Sequence, residues 1–266
     1  MLMTLVLILL LTTVIHAAET SSYSIRLGGI RLRKIAVALS LTGIVLLISR
    51  TSNLFQAPML GGIVDQAKQH GSTTDVLHVF RLVLLAGSFG TLLSIVLYPT
   101  FTRLATKVIT RFEVEGSIVA LMKVSNIQKL TRTRTYVRAP KISMIKRLRV
   151  GGVPKRLMLT NMVITSIYTT GVLAALYASV LDPTHATTSS MASGVVNGAA
   201  TILLTLFLDP HIALMTERAL NETQGADSMS KAYGWLMISR FFGTLLAQVI
   251  LIPAAHWISW VSGFLS

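Results

Sequence analysis

Six apolar stretches, each long enough to cross a lipid bilayer as a helix, constrain this chain more than any other feature of its sequence. A hydrocarbon core of about 30 Å needs about 20 helical residues. The stretches lie near residues 2–25, 32–58, 76–102, 157–181, 189–216 and 232–262. Because a backbone in lipid must satisfy its own hydrogen bonds, we predict an all-α integral membrane protein with about six transmembrane helices.

The composition agrees with this prediction, since 52% of the 266 residues are hydrophobic and only 13% are charged. The first stretch has the position of a signal peptide, but no basic residues precede it. The triplet His16-Ala17-Ala18 is also a poor cleavage site. We therefore expect the first stretch to remain as a helix. Cysteine is absent, which excludes disulfides and a thiol nucleophile.

The net charge of +14 is concentrated in one segment. Residues 103–156 hold fourteen Lys or Arg against Glu113 and Glu115. Apolar and basic residues alternate at helical spacing from Arg103 to Leu130, which predicts an amphipathic helix at the cytoplasmic interface. The chain then divides into three helices in 1–102, a basic interfacial segment in 103–156 and three helices in 157–266.

The distribution of basic residues predicts the orientation in the membrane. The Arg26–Lys34 loop holds four basic residues, whereas the loops 59–75 and 182–188 together hold one lysine. The positive-inside rule places the basic loops in the cytoplasm and both termini outside. The basic segment is expected to bind anionic lipids, and a docking patch for a phosphorylated lipid head group is the alternative.

Polar and small side chains recur on one face of four spans. Charged groups at mid-bilayer cost about 2.5–3.5 kcal/mol on insertion scales, so they usually face a bundle interior or a cavity. The residues that share a face are His16, Glu19, Tyr23 and Arg26 in the first span; Ser40, Gly43 and Arg50 in the second, followed by Asn53 and Gln56; Gly194, Asn197, Thr201, Thr205 and Asp209 in the fifth; and Arg240, Gly243, Thr244 and Ala247 in the sixth.

These stripes allow more than one interpretation. Small residues at helical spacing also suit helix packing, and Glu19 or Asp209 can neutralise an arginine such as Arg240. Arg50 and Arg240, however, lie several residues inside a span and stay ionised at physiological pH. If both face one cavity, its surplus positive charge predicts an anion site, and a pyrophosphate suits the planar guanidinium.

Motifs for other chemistries are missing from the sequence. No G-x-x-x-x-G-K-[ST] loop is present, so ATP hydrolysis by this chain is not expected. The six histidines are scattered, and no H-E-x-x-H motif occurs. We therefore predict no cofactor, no metal, no catalytic residues and no nucleic-acid partner.

Two segments carry a resemblance to a known family. They read ETSSYSIRLGGIRLRKIAVALSL over Glu19–Leu41 and LISRTSNLFQAPMLGGIVD over Leu47–Asp65. Their uncommon polar residues at fixed places resemble the Amj family, the alternate lipid II flippases of bacteria. The resemblance covers about the first quarter of the chain and does not reach the last two spans.

The resemblance implies that the protein moves lipid II, an undecaprenyl pyrophosphate bearing a disaccharide-pentapeptide, from the inner to the outer leaflet of the bacterial plasma membrane for peptidoglycan synthesis. On this hypothesis the head group is bound by five residues: Arg26, Arg50, Asn53, Gln56 and Arg240. Three others act as charge partners of the arginines: His16, Glu19 and Asp209. Since six helices form a small shell for so large a head group, a homodimer with a shared groove is an alternative to a monomer.

Two other functions compete with transport. An integral-membrane enzyme acting on polyprenyl phosphates would share a cationic groove, but its remaining acid candidates, Asp65 and Asp75, are isolated in the loop predicted outside. A non-catalytic membrane scaffold would use the polar stripes only as helix contacts. It predicts that apolar replacements at Arg50 and Arg240 are tolerated.

Overall fold

The computed structural model describes residues 2–71, 73–116 and 153–265, without the side chains of Thr73 and Thr74. This part of the chain forms helices and contains no strand. The helices are α1 Leu2–Leu32, α2 Ile35–His70, α3 Thr73–Glu115, α4 Lys155–Leu181, α5 Ala186–Leu203, α6 Asp209–Asn221 and α7 Gly225–Leu265. A π-helical turn, Leu204–Leu208, joins α5 to α6, so that they form one span. Six such segments are long and apolar enough to cross a membrane, which confirms the predicted fold class.

The loop predicted at Arg26–Lys34 is much shorter than expected. Helix α1 continues to Leu32, and only Arg33 and Lys34 form the turn to α2. Arg33 adopts a left-handed conformation with φ 55°. The Lys34 amide closes the turn by donating to the Gly29 carbonyl at 2.8 Å. Arg26 therefore lies within a helix rather than in a loop.

Helix α2 is longer than the predicted span because it continues through Pro58 to His70. A proline inside a membrane helix is tolerated when neighbouring groups satisfy the freed carbonyl. The helix ends at Gly71, whose φ of 69° suits a residue without Cβ. Lys68, expected in a loop, donates to Ser179 Oγ on α4 at 3.3 Å.

The third helix also passes its predicted end. Residues Arg103–Glu115, which we assigned to the interfacial segment, continue α3. Ala105 and Ile109 are buried, and a Cβ added at Gly28 of α1 would lie 3.1 Å from the Ala105 Cβ. The helix therefore continues past residue 103 because this stretch packs on α1, and the division of the chain at residue 103 stays a prediction. Residues 117–152, which include the second half of the predicted amphipathic helix, lie outside the described residues.

Close contacts between helices hold each half of the described chain together. Between α1 and α3, Thr13 Oγ1 donates to the Ala86 carbonyl at 3.3 Å and Ser94 Oγ donates to the Ala17 carbonyl at 2.8 Å. Between α4 and α7, Asn161 Nδ2 donates to the Leu236 carbonyl at 2.8 Å. Small residues allow this approach of backbones, as is common between membrane helices.

Replacing Gly90 by alanine should destabilise the protein, because a Cβ at this position would overlap the backbone of Thr13 on α1. Overpacking of this kind costs about 1–3 kcal/mol. The matched control is Gly43→Ala, since nothing described lies within 4 Å of a Cβ added at Gly43. Thermal melting of the purified variants in detergent measures the difference. Equal melting temperatures for both variants would contradict the α1–α3 packing.

Two apolar clusters lie at opposite ends of the bundle. One includes Ile8 near the start of α1 and Ile258 near the end of α7. The other includes Leu27 near the end of α1 and Tyr233 near the start of α7. The middle of the bundle is instead rich in buried polar side chains, among them His16, Thr165 and Arg240. Since the apolar clusters shield both ends, the polar groups form a membrane-embedded interior.

The short turn between α4 and α5 lies outside the membrane-spanning segments. The Asp182 carboxylate accepts hydrogen bonds from the Thr184 amide at 3.1 Å and from His185 Nδ1 at 2.8 Å. The hydrogen bond from His185 lowers the pKa of Asp182 below its ordinary value. Asp182 therefore stays ionised and holds the turn that reverses the chain.

Candidate functional site

A cavity of about 220 Å³ lies within the bundle, and we call it the cationic cavity. Helices α1, α2 and α4 line one part, and α5, the π-helical turn, α6 and α7 line the rest. Its charged lining residues are Glu19, Arg26, Arg50, Asp209 and Arg240. Three arginines face two carboxylates, so the formal charge of the lining is +1. The cavity therefore favours an anion, and more strongly than a water-filled surface site because its walls are apolar.

Glu19 is the centre of a polar network in this cavity. Its carboxylate forms an ion pair with the Arg240 guanidinium on α7. It also accepts a hydrogen bond from Ser49 Oγ on α2 at 2.8 Å and one from the Tyr168 hydroxyl on α4 at 3.4 Å. The side chains of Glu19 and Arg240 are each only 11% exposed. One carboxylate thus connects four helices.

The other two arginines of the cavity are not neutralised in this way. Arg26 and Arg50 form no ion pair with any residue in the described part of the chain. Arg26 Nε is buried without a described hydrogen-bond partner, and so is Arg240 Nε. Arg50 is exposed at the mouth of the cavity. N–H donors on three guanidinium groups therefore remain for an anionic guest.

Asp209 reaches the cavity because of an irregularity in the fifth span. Pro210 has no N–H and disturbs the preceding turn, and the chain forms the π-helical turn Leu204–Leu208 just before it. The Asp209 amide donates to the Leu204 carbonyl, five residues earlier. The π-helical turn shifts the face of the helix, so that Thr201 and Asp209 line the cavity whereas Thr205 lines neither cavity. The expected Asp209–Arg240 pair is not formed, because Glu19 takes that place.

A second cavity, of about 440 Å³, lies beside the first, and we call it the neutral cavity. No Asp, Glu, Lys or Arg lines it. Its polar lining residues are Thr12, His16, Asn53, Gln56, Tyr168, Thr169 and Asn197. Gln56 Nε2 donates to Thr12 Oγ1, and His16 is only 5% exposed. Tyr168 lines both cavities and therefore marks their boundary.

The order of lining residues along the helices shows that the cavities are stacked along the bundle axis. On α1 the neutral cavity is lined by residues 12–16 and the cationic cavity by 19–26. On α2, which runs in the opposite direction, the cationic cavity comes first, at 46–50, and the neutral cavity follows at 53–60. From Thr12 to Arg26 the helix rises about 21 Å. Together the cavities span much of a bilayer core.

The structure thus gathers all eight predicted site residues into two adjacent cavities. Five line the cationic cavity: Glu19, Arg26, Arg50, Asp209 and Arg240. The other three, Asn53, Gln56 and His16, line the neutral cavity. His16, predicted as a charge partner, forms no ion pair within the described residues. The roles of these eight residues stay predictions.

Sequence reasoning missed six further polar lining residues: Thr12, Ser22, Ser49, Thr165, Tyr168 and Thr169. Thr165, Tyr168 and Thr169 recur at helical spacing in α4, a signal that could have been read as a fifth polar stripe facing the same interior. The acid candidates of the competing enzyme, Asp65 and Asp75, are exposed and line neither cavity.

Comparison with known proteins gives the family. A sequence profile described as "Amj: Alternate to MurJ" matches residues 11–262. The chain belongs to the Amj family. One relative, "Lipid II flippase Amj" of Bacillus subtilis (strain 168), is 38% identical over 250 residues, which are 93% of each chain. No solved structure gives a significant match.

The family match extends well beyond the segments that carried the resemblance. It includes the fifth and sixth spans, where Asp209 and Arg240 lie. The chain has six helices able to cross a membrane, and it is similar over most of its length to a relative named as a flippase. This Amj-family chain is therefore a multi-pass membrane protein. All residues that line the cationic cavity therefore lie within the matched region.

Proposed function

We propose that this protein is a lipid II flippase of the bacterial plasma membrane and not an enzyme. The observation that carries the proposal is family membership over residues 11–262, together with a relative named as a lipid II flippase. The protein would move lipid II from the inner to the outer leaflet. The lipid chain would stay in the bilayer while the polar head group passes through the bundle.

The cationic cavity supports a binding role for the pyrophosphate. Arg26, Arg50 and Arg240 bring three positive charges to one enclosed site. A guanidinium offers paired N–H donors that match two phosphate oxygens, and such charge-assisted bonds are stronger than neutral ones. Since a phosphate cannot cross hydrocarbon without compensation, permanent positive charge at this depth lowers the barrier to its passage.

The cavity also has a way in for a lipid-anchored guest. Arg50 on α2 and Thr201 on α5 both line it and are exposed. Helices α2 and α5 make little direct contact with each other. A head group could thus enter sideways between them while its tail remains outside the bundle. We keep the predicted orientation, in which the basic loops are cytoplasmic and both termini lie outside, so the cationic cavity belongs to the cytoplasmic half.

Glu19 would alternate with the substrate as a partner of Arg240. In the empty cavity its carboxylate neutralises Arg240, which lowers the cost of burying the arginine. An arriving pyrophosphate would compete for the same guanidinium and release Glu19 to its other donors, Ser49 and Tyr168. Asp209, which also lines the cavity and has no ion pair among the described residues, would limit how tightly the phosphate is held.

The proposed function can be tested in cells that lack other lipid II flippases. The measurement is the amount of lipid II in each leaflet of the membrane. Expression of this chain should restore growth and the appearance of lipid II in the outer leaflet, whereas an empty vector should not. Restored growth without outer-leaflet lipid II would contradict the proposal. So would release of a product from a polyprenyl phosphate by the purified protein, because that result would favour the competing enzyme.

Two further partners stay predictions. Anionic lipids would bind the basic segment 103–156, of which Lys155 and Arg156 are exposed in the described part. A homodimer would add space beside two cavities of about 220 and 440 Å³, which are small for a whole disaccharide-pentapeptide.

A further inference from the structure

We propose that the neutral cavity is a second subsite, which binds uncharged hydroxyl and amide groups of the substrate's head group. This inference rests on the proposed lipid II transport and adds to it. The cationic cavity accounts for the pyrophosphate, but a head group of this class continues into sugar and peptide groups. Those groups need a site of different chemistry.

Buried polar atoms without partners are the first observation that supports the subsite. His16 Nδ1, Thr169 Oγ1 and Asn197 Oδ1 are all buried and have no hydrogen-bond partner within the described residues. All three belong to side chains that line the neutral cavity. They come from α1, α4 and α5, three separate helices. Since buried polar atoms are almost always paired in folded proteins, these atoms indicate a polar guest.

The lining of the cavity selects the kind of guest. It contains hydroxyl, amide and imidazole groups but no Asp, Glu, Lys or Arg. Hydroxyl and amide groups both donate and accept hydrogen bonds, so they pair well with sugar hydroxyls and acetamido groups. A phosphate or carboxylate would find no cation here. A hydrocarbon tail would leave the unpaired polar atoms unsatisfied, and this argues against a lipid chain as the occupant.

Position links the neutral cavity to the cationic one. Tyr168 lines both, and its hydroxyl donates to Glu19 at 3.4 Å. On α2, Arg50 and Asn53 are one helical turn apart and line the two cavities in succession. A pyrophosphate bound at Arg50 would therefore direct the next groups of the head group toward Asn53. The volume of about 440 Å³ is in the range of small-molecule sites, which suits part of a saccharide.

Binding of two lipids to the purified full-length protein tests the subsite. One probe is undecaprenyl pyrophosphate, and the other is the same lipid bearing an uncharged disaccharide of acetamido sugars that have no carboxyl group and no peptide. The wild type should bind the disaccharide lipid more tightly than the bare pyrophosphate. In the double variant Thr169→Val and Asn197→Leu this preference should fall roughly twenty-five-fold, about five-fold for each lost hydrogen bond, with affinity for bare undecaprenyl pyrophosphate unchanged.

Two controls make the outcomes distinct. Thr160→Val removes a hydroxyl from α4 outside both cavities and should retain the preference. Arg50→Ala should weaken the binding of both lipids by the same factor. Equal binding of the two lipids by the wild type, or an undiminished preference in the double variant, would overturn the subsite and leave the proposed function standing. Failure of the wild type to bind either lipid saturably would overturn both.

Discussion

Cells that depend on this protein for lipid II transport should stop growing when Arg50 is replaced by alanine. Arg50 lines the cationic cavity, is exposed at its mouth and has no carboxylate partner among the described residues. Its charge is therefore free to bind phosphate. A hydrogen bond to a charged group contributes about 1.5–3 kcal/mol, so transport should slow about ten- to one-hundred-fold. Growth rescue and outer-leaflet lipid II measure the loss.

The Arg50 variants have controls for charge, geometry and folding. Arg50→Lys keeps the charge but loses the planar fork, so it should transport at an intermediate rate. Arg81→Ala removes an exposed arginine of α3 that lines neither cavity and should rescue normally. Because Arg50 has no described ion pair, its loss should leave the melting temperature unchanged. Normal rescue by Arg50→Ala at wild-type protein levels would refute the phosphate-binding role.

Removing one partner of the Glu19–Arg240 pair should strongly destabilise the fold. The two side chains are each 11% exposed, so Glu19→Ala leaves Arg240 as a buried and uncompensated charge. Breaking a buried pair from one side costs about 3–5 kcal/mol, whereas replacing both partners with apolar residues is often neutral. Glu19→Ala and Arg240→Ala should therefore each lower the melting temperature in detergent, and Glu19→Leu with Arg240→Met should recover it.

A transport assay distinguishes the structural role of the Glu19–Arg240 pair from its functional role. The double variant should fold and yet fail to rescue growth, because it lacks the guanidinium that binds phosphate and the carboxylate that exchanges with it. For the loss of stability, the matched control is the Lys34–Glu113 pair, because its side chains are 35% and 47% exposed and its ion pair is therefore in contact with solvent. Lys34→Ala should cost about 0–1 kcal/mol. Normal transport by the double variant would show that the pair serves only folding.

The number of spans and the identity of the charged residues inside them could be predicted from the sequence. Hydropathy over about 20 residues is a local property, and a charge within such a stretch is visible without knowledge of the fold. For this reason Arg50 and Arg240 could be selected as unusual residues. The family resemblance could be read from the polar residues of the first quarter, and the match over residues 11–262 confirms it.

Helix ends were predicted poorly because local rules are overruled by packing. Pro58 and the cluster after Arg26 are typical of loops, yet α2 passes through Pro58 and α1 continues beyond Arg26 to Leu32. In both cases neighbouring helices cover the extra turns, as when Gly29 of α1 approaches Ala38 of α2. Similarly, Gly243 lies against the backbone of Met162, whereas Gly43 faces open space, and no local pattern distinguishes them.

The sequence by itself determined that permanent positive charge lies at membrane depth in this protein, because arginine cannot lose its charge there. Only the tertiary structure decided which charges are neutralised. Arg240 pairs with Glu19, more than two hundred residues away in the chain, rather than with Asp209, and Arg50 remains without a described partner. Pairing depends on how helices distant in sequence pack and on a π-helical turn that shifts the face of the fifth span. These contacts between distant helices form only when the helices pack together, so the sequence alone does not reveal them.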